Sequence, residues 1–460
     1  MCGTVNGAYH ILLLASPNAF AGKSHSSSML HFRGLSGQGR PEEFDELESA
    51  VRTYCRLFER IFSRASGATI FDQEGRRYVD FLSGAGTLNY GHNNPRIKQA
   101  VIDYLQADGI LHSLDLHTTA KLAFLRQFRD VILTPRGVDY RVQFCGPTGA
   151  NAVEAALKLA RKITGRRTIV AFTNAYHGVS LGALAVTASA QKRGAAGVPL
   201  EFVVRMPFDG YLGQEVDTIA LLDAMLDRGG GIDEPAAIIV ETVQAEGGIN
   251  VASVKWIRRL SELARRRGIL LVIDDIQVGC GRTGTFFSFE RAGINPDIVC
   301  LSKAIGGIGM PMALVLVKPE LDIWHPGEHN GTFRGNNLAF VAGAAALDYW
   351  QDSAFEAALE RCGAQIRKHL IQIADQYSDH SDGVRGVGMI QGIAWIDPAL
   401  TVAILRKAFA GGLMIESCGA HDNVIKVLPP LIINDDELKE GLSILSHAVD
   451  LAVREYSARA

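Results

Sequence analysis

The stretch Ile269-Leu-Leu-Val-Ile-Asp-Asp-Ile-Gln277 decides the fold. Its apolar residues run without a break into two carboxylates, as a strand covered on both faces requires. Ligands of open α/β sheets gather at the carboxyl ends of strands, so Asp274 stands where a ligand would be met. A second run, Asp297-Ile-Val-Cys-Leu-Ser-Lys303, delivers a lysine to the same edge. Further short apolar runs cover Thr168 to Thr173, Ala236 to Thr242 and Met312 to Val317, and stretches of helical period separate them. That alternation predicts an α/β core with a mainly parallel sheet. After about Leu338 the pattern turns more helical. Short strands around Gly388 to Trp395 and Asn423 to Leu428 then point to a smaller α+β domain.

A lone lysine reads as a solvated amine, but Lys303 has an unusual setting. It follows an apolar strand and precedes Ala304-Ile-Gly-Gly-Ile-Gly-Met-Pro311, whose glycines let the backbone pass close to a bound group. A desolvated lysine has a depressed pKa and forms Schiff bases. The turn Gly146-Pro-Thr-Gly-Ala-Asn151 leads into the helical stretch Ala152 to Arg161, and free amides at such a helix start bind phosphate. A plain capped turn would have the same letters.

Bulk properties narrow the partners. The 460 residues carry 46 basic and 49 acidic side chains, a formal charge of −3, so no global basic field favours nucleic acid or anionic lipid. A composition 47% hydrophobic and 21% charged is that of an ordinary soluble protein able to bury a large core. Seven cysteines, odd in number and without a CxxC pair, read as reduced cytoplasmic thiols. Neither they nor the 13 histidines have the paired spacing of a zinc site, and His112 and His117 lack a third ligand. The run Ile11 to Ala15 is too short to span a bilayer and lacks the basic flank of a signal peptide. Residues 1–40 contain no acidic side chain and no clear period, which predicts a loosely ordered tail, with Met29 as an alternative start. From Pro41 to about Ser63, Phe44, Leu47, Val51, Tyr54, Cys55 and Leu57 recur at helical spacing and predict an amphipathic helix.

Several ordered motifs carry a family resemblance. They are Asn89-Tyr-Gly-His-Asn-Asn-Pro95, the helix from Val153 to Arg161, Tyr176-His-Gly178, Asp274 to Gly284, Ser302-Lys303, Thr332-Phe-Arg-Gly335 and Leu428-Pro-Pro-Leu431. With these the chain resembles a class III aminotransferase of the fold-type I pyridoxal-phosphate superfamily. Phe44 to Arg56, Gly146-Pro-Thr-Gly149 and Gly327 to Asn337 are most similar to the L-2,4-diaminobutyrate:2-oxoglutarate transaminases, the type that opens ectoine synthesis or supplies diaminobutyrate to siderophores and peptides.

The resemblance implies a seven-stranded large domain over 91–337, a segment 41–90 joining the small domain, and a small domain over 338–460. It implies pyridoxal 5′-phosphate as cofactor, bound as a Schiff base to Lys303, which also moves the substrate proton. Asp274 pairs with the pyridine nitrogen, Gln277 with the phenolic oxygen, and Tyr176 stacks on the ring. Thr148, Gly149 and Ala150 hold the phosphate, and Thr332 reaches it from the other subunit of a homodimer or larger homo-oligomer. The substrates are a small amino acid and a 2-oxo acid, with neither nucleic acid nor membrane as partner. Diaminobutyrate is the expected donor; 4-aminobutyrate, ornithine or taurine, or aminomutase or racemase chemistry, are the alternatives. A silent relative would be expected to lose Lys303 or Asp274, and both are present.

Two patterns suggest other functions. Gly279 to Gly284 matches the dinucleotide fingerprint, yet Asp-Asp-Ile-Gln separates it from its strand and Thr-Phe-Phe-Ser-Phe follows, so it reads as a loop beside the cofactor. Arg265-Arg-Arg267 reads as the solvated end of a helix, offsetting its dipole.

One pocket must take a diamine and a dicarboxylate, which calls for a cation that can be masked or bared. Glu241 and Lys426 are the candidate pair, by similarity to a glutamate and an arginine in the wider family. Lys426→Ala is therefore expected to raise the 2-oxoglutarate KM more than the diamine KM in steady-state kinetics; equal effects would refute the role.

Overall fold

The structure is a computed structural model that describes residues 39–458. The expected N-terminal tail, with Cys2 and Met29, thus lies almost wholly outside the described residues.

Seven strands form the central sheet: β1 (Arg141–Phe144), β2 (Ile169–Phe172), β3 (Val203–Met206), β4 (Ala237–Val240), β5 (Leu270–Asp274), β6 (Ile298–Leu301) and β7 (Leu314–Val317). Their spatial order is β1-β7-β6-β5-β4-β2-β3. Only β7 runs antiparallel to its neighbours. The five apolar runs of the sequence are five of these strands. The two it did not reveal, β1 and β3, are the edges. An edge is covered less completely, so these strands tolerate Arg141, Gln143 and Arg205 and lack the continuous apolar signature.

Helices close both faces. The helix Gly149–Thr164 buries Val153, Ala156, Leu157 and Ala160, and Gly165 ends it in the left-handed conformation. The helix Val254–Arg267 is capped by Ser253, whose side chain accepts from the Trp256 amide. At its far end Arg266 and Arg267 do more than meet water: Arg266 pairs with Asp223, and Arg267 with Asp223, Asp227 and Glu234.

The amphipathic helix expected from Pro41 to about Ser63 is replaced by a short helix, Glu43–Leu47, a turn at Tyr54–Arg56 and a strand beginning at Phe62. A surface helix is stabilised mainly by burying its apolar face. Among the described residues nothing covers this face, and Leu47 and Val51 remain 86% and 84% exposed.

A second sheet is wholly antiparallel, in the order Ser381–Val387, Ile390–Trp395, Val424–Val427, Glu416–Cys418. Its register sets Glu416 directly opposite Lys426. The helices Ser353–Gln376, Pro398–Gly411 and Asp435–Ser457 pack nearby. The N-terminal strands Phe62–Ser66, Thr69–Asp72 and Arg77–Asp80 form a meander, and Leu413–Met414 joins it in parallel beside Arg77–Asp80.

The glycine-rich loop 279–284 is a structural joint. Arg282 is fully buried and donates to the carbonyls of Met389 and Pro429 and to the Asn89 side chain. The loop opens no long helix, as a dinucleotide turn would, but leads through Phe286 and Phe287 to the short turn Glu290–Ala292.

Beyond Lys303 the chain turns at Gly307, where φ is +76° and an added Cβ would sit 2.6 Å from the Ala342 carbonyl oxygen. Gly307→Ala is expected to cost at least about 2 kcal/mol in urea unfolding, from left-handed strain plus the clash. A wild-type unfolding midpoint would show that the helix Asn337–Leu347 can retreat.

Candidate active site

Sheet register brings the principal groups together. Asp274, the last residue of β5, pairs in parallel register with Cys300 of β6, and two residues after β6 the chain reaches Lys303. Lys303 itself has a positive φ of 50°, opening a single helical turn that carries its side chain off the strand axis. These residues meet in a cavity of about 430 Å³. Thr148, Gly149, Ala150, Tyr176, Glu241 and Gln277 line it with them.

Lys303 has neither an ion pair nor a hydrogen bond among the described residues. Burial lowers its pKa, and the nearby Lys426 adds to the effect against the pull of Glu246, Glu416 and Asp274. An amine so placed is a nucleophile and a base. Asp274 is held from two sides. Its Oδ2 lies 2.7 Å from Nδ1 of the fully buried His177, and its Oδ1 accepts from the Ile276 amide at 3.1 Å. His177 Nε2 has no partner among the described residues, while its backbone N–H donates to Thr187 Oγ1. The histidine thus fixes the carboxylate, leaving it aimed into the cavity.

At the opposite wall Thr148 caps the helix Gly149–Thr164 in a reciprocal box with Asn151. The next two amides, of Gly149 and Ala150, face the cavity without backbone partners in the helix. Space is tight: a Cβ on Gly149 would lie 3.0 Å from Ile276, and one on Gly178 would lie 2.8 Å from the Ala150 methyl. Gln277 donates to the Ala85 carbonyl at 2.7 Å and keeps its Oε1 unpartnered. Tyr176 lies in the wall, its backbone N–H donating to Glu241 Oε1 at 2.9 Å.

Thr332 and Lys426 are predicted residues that do not line this cavity within the chain. Thr332 is exposed at the surface, and its carbonyl accepts from His112 Nε2 at 2.7 Å. The candidate pair of Glu241 and Lys426 is also not formed. Lys426, buried on its strand, lies 2.7 Å from Glu246 Oε1 and 2.9 Å from Glu416 Oε1. Glu241 instead spends its carboxylate on the Tyr176 amide, and burial, reinforced by Asp274, pushes its pKa well above the ordinary range. Glu246 goes the other way: burial opposes ionisation, but Lys426 and Lys303 hold its pKa at about 2. Burial moves Glu416 upward, and the Lys426 ammonium offsets part of that rise.

His177, Glu246, Glu416 and Tyr54 escaped the sequence reading. Tyr54 faces the same cluster from the N-terminal segment, and burial together with the charges of Glu416 and Glu246 pushes its phenol up. The available signal was Val424-Ile-Lys-Val427, where strand alternation buries a lysine and so demands a carboxylate across the ladder.

The comparisons agree with this geometry. The family model for class III aminotransferases matches residues 52–449, and the chain belongs to that family. Its fold is that of the fold-type I pyridoxal-phosphate enzymes, and pyridoxal 5′-phosphate is its cofactor. A diaminobutyrate–2-oxoglutarate transaminase of Nocardia farcinica is 55% identical over 409 residues, 88% of this chain and 93% of that protein. One from Halalkalibacterium halodurans is 51% identical over 411 residues, 89% and 96% of the two chains. The crystal structure of ornithine aminotransferase from Toxoplasma gondii superposes with a TM-score of 0.79 at 27% identity, covering 92% of this chain and 98% of its own.

The cavity suits that cofactor: a partnerless amine, a fixed carboxylate and a tight helix start line one space. Behind it Asp275 is fully buried, accepts from the Ser288 amide, and has its carboxyl pKa pushed up to about 7 by burial. An acid whose folded pKa exceeds its unfolded value loses stability as pH rises between the two. Asp275→Asn is therefore expected to gain melting temperature relative to wild type as pH rises from about 5 to about 8. A difference independent of pH would contradict the buried-acid assignment.

Proposed function

We propose that the protein exchanges an amino group between L-2,4-diaminobutyrate and 2-oxoglutarate, linking them to L-aspartate 4-semialdehyde and L-glutamate. The observation that carries the chemistry is the unpaired Lys303 amine in one cavity with Asp274. The donor follows from relatives of that name at 51–55% identity over nearly nine-tenths of the chain. Expected consumers are ectoine-type or other diaminobutyrate-using syntheses.

When bound, pyridoxal phosphate supplies an electron sink for the pair left behind as the amine-bearing carbon loses its proton. Lys303 would hold the cofactor through Nζ, and the same amine, when free, would take and return that proton. Asp274, steadied by His177, keeps the pyridine nitrogen protonated. Gln277 would hold the phenolic oxygen, Tyr176 would support the ring, and Thr148 with the Gly149 and Ala150 amides would hold the phosphate. Glu246 at the cavity wall faces the cationic donor, and Lys426 beside it is the cation that the carboxylate of the 2-oxo acid would meet.

We also read the active unit as a cytoplasmic homodimer. Exposed Leu111, Leu114, Leu116 and Phe333 lie around Thr332, and the N-terminal segment presents Phe44, Leu47 and Val51. Together they form the kind of uncovered apolar surface that a partner would bury, bringing Thr332 to the partner's phosphate site. The six described cysteines are free, and no helix among the described residues is long and apolar enough to cross a membrane.

The test follows the visible band of the bound cofactor while L-2,4-diaminobutyrate and then 2-oxoglutarate are added. The band is expected to bleach with the first and return with the second, and Asp274→Asn should nearly abolish turnover. A band unmoved by diaminobutyrate would transfer the assignment to another amine.

A further inference from the structure

Lys426, whose side chain is fully buried, has two carboxylate partners. Glu246 approaches from the cavity side, with about a quarter of its side chain accessible. Glu416 approaches from behind, almost wholly buried and in direct cross-strand register with the lysine. The Glu246 backbone is itself pinned, since its carbonyl accepts from the Gly419 amide at 2.9 Å. The Lys426 ammonium, 2.9 Å from Glu416 Oε1, opposes the rise that burial imposes on this carboxyl and favours its ionised form. One cation and two anions leave a net negative charge at this wall. The charges of all three act on the Lys303 amine, which puts that wall within the field of the reacting end.

We propose that Glu416 is a specificity-determining residue: by neutralising Lys426 from behind, it leaves the negative charge of Glu246 free to receive the second ammonium of a diamine donor. The inference rests on the diaminobutyrate reading above. A single carboxylate on Lys426 would form a neutral pair, indifferent to whether the donor carries a second amine. With Glu416 present, the wall favours an amino acid with an ammonium far from the reacting amine, and resists the carboxylate of the 2-oxo acid. Glu416 touches no substrate; it acts through Lys426, as a positioning and charge-setting group. L-2,4-Diaminobutyrate and 4-aminobutyrate differ in that one ammonium, so their ratio isolates the effect.

The experiment measures kcat/KM of the holoenzyme for those two donors, and the 2-oxoglutarate KM, in wild type, Glu416→Gln, and the double variant Lys426→Met with Glu416→Gln. Glu416→Gln is expected to lower the diaminobutyrate preference by about tenfold or more while lowering the 2-oxoglutarate KM. The double variant removes both hidden charges and leaves Glu246 alone, so it should regain the wild-type donor preference while binding 2-oxoglutarate poorly. Loss of packing would weaken both substrates together and could not restore a preference, and the double variant reads the charge balance even where the single one folds badly. An unchanged ratio in Glu416→Gln, or a double variant without the regained preference, overturns the inference while the wild type still uses diaminobutyrate. A wild type inactive with diaminobutyrate overturns the functional reading and this inference with it.

Discussion

The parallel register that seats Asp274 opposite Cys300 is the constraint on which the site depends. It fixes the distance along the sheet edge between a carboxylate and the lysine that follows the neighbouring strand. A slip of one residue would turn every side chain of β5 to the opposite face. Asp274 would then leave the cavity, and Asp275 would come forward from its place behind it. Because both strands are apolar along their length, no polar residue inside them offers an alternative pairing. Inside the sheet a slip would exchange one apolar residue for another, so the registers differ at the end of β5, where Asp274 lines the cavity and Asp275 is buried behind it.

The fold was legible where burial is complete. Strands β2, β4, β5, β6 and β7 announce themselves because both faces are covered, whereas β1 and β3 mix charged and apolar residues as edges do. The same limit explains the N-terminal segment. Phe44, Leu47 and Val51 keep helical spacing, but spacing records only that a face is to be covered. The surface that covers it need not belong to the same chain.

Of the residues that line the cavity, those marked by their own surroundings were legible: Lys303 from its strand and glycines, Asp274 from its position, Thr148 from the turn before its helix. Residues that act through a partner were less so. Glu241 and Glu246 are five apart and flank the same turn, so sequence cannot tell which of them meets Lys426; the hairpin following β4 decides it. Glu416 is invisible without the antiparallel ladder that brings it to the lysine. His177 is similar, because the pairing with Asp274 joins the end of one loop to the end of a distant strand. Charge partnerships are long-range facts, and a linear pattern carries one member at a time.

Arg282 has a consequence for how the molecule is made. Its side chain is completed by groups from the first hundred residues, at Asn89, and from close to the end, at Met389 and Pro429. The meander near the N-terminus likewise waits for Leu413 and Met414. On the ribosome, where synthesis proceeds from the N-terminus, these joints stay open until nearly the whole chain has emerged. Until Pro429 is in place Arg282 lacks one of its acceptors, so the joint it makes between distant parts of the chain is among the last to close.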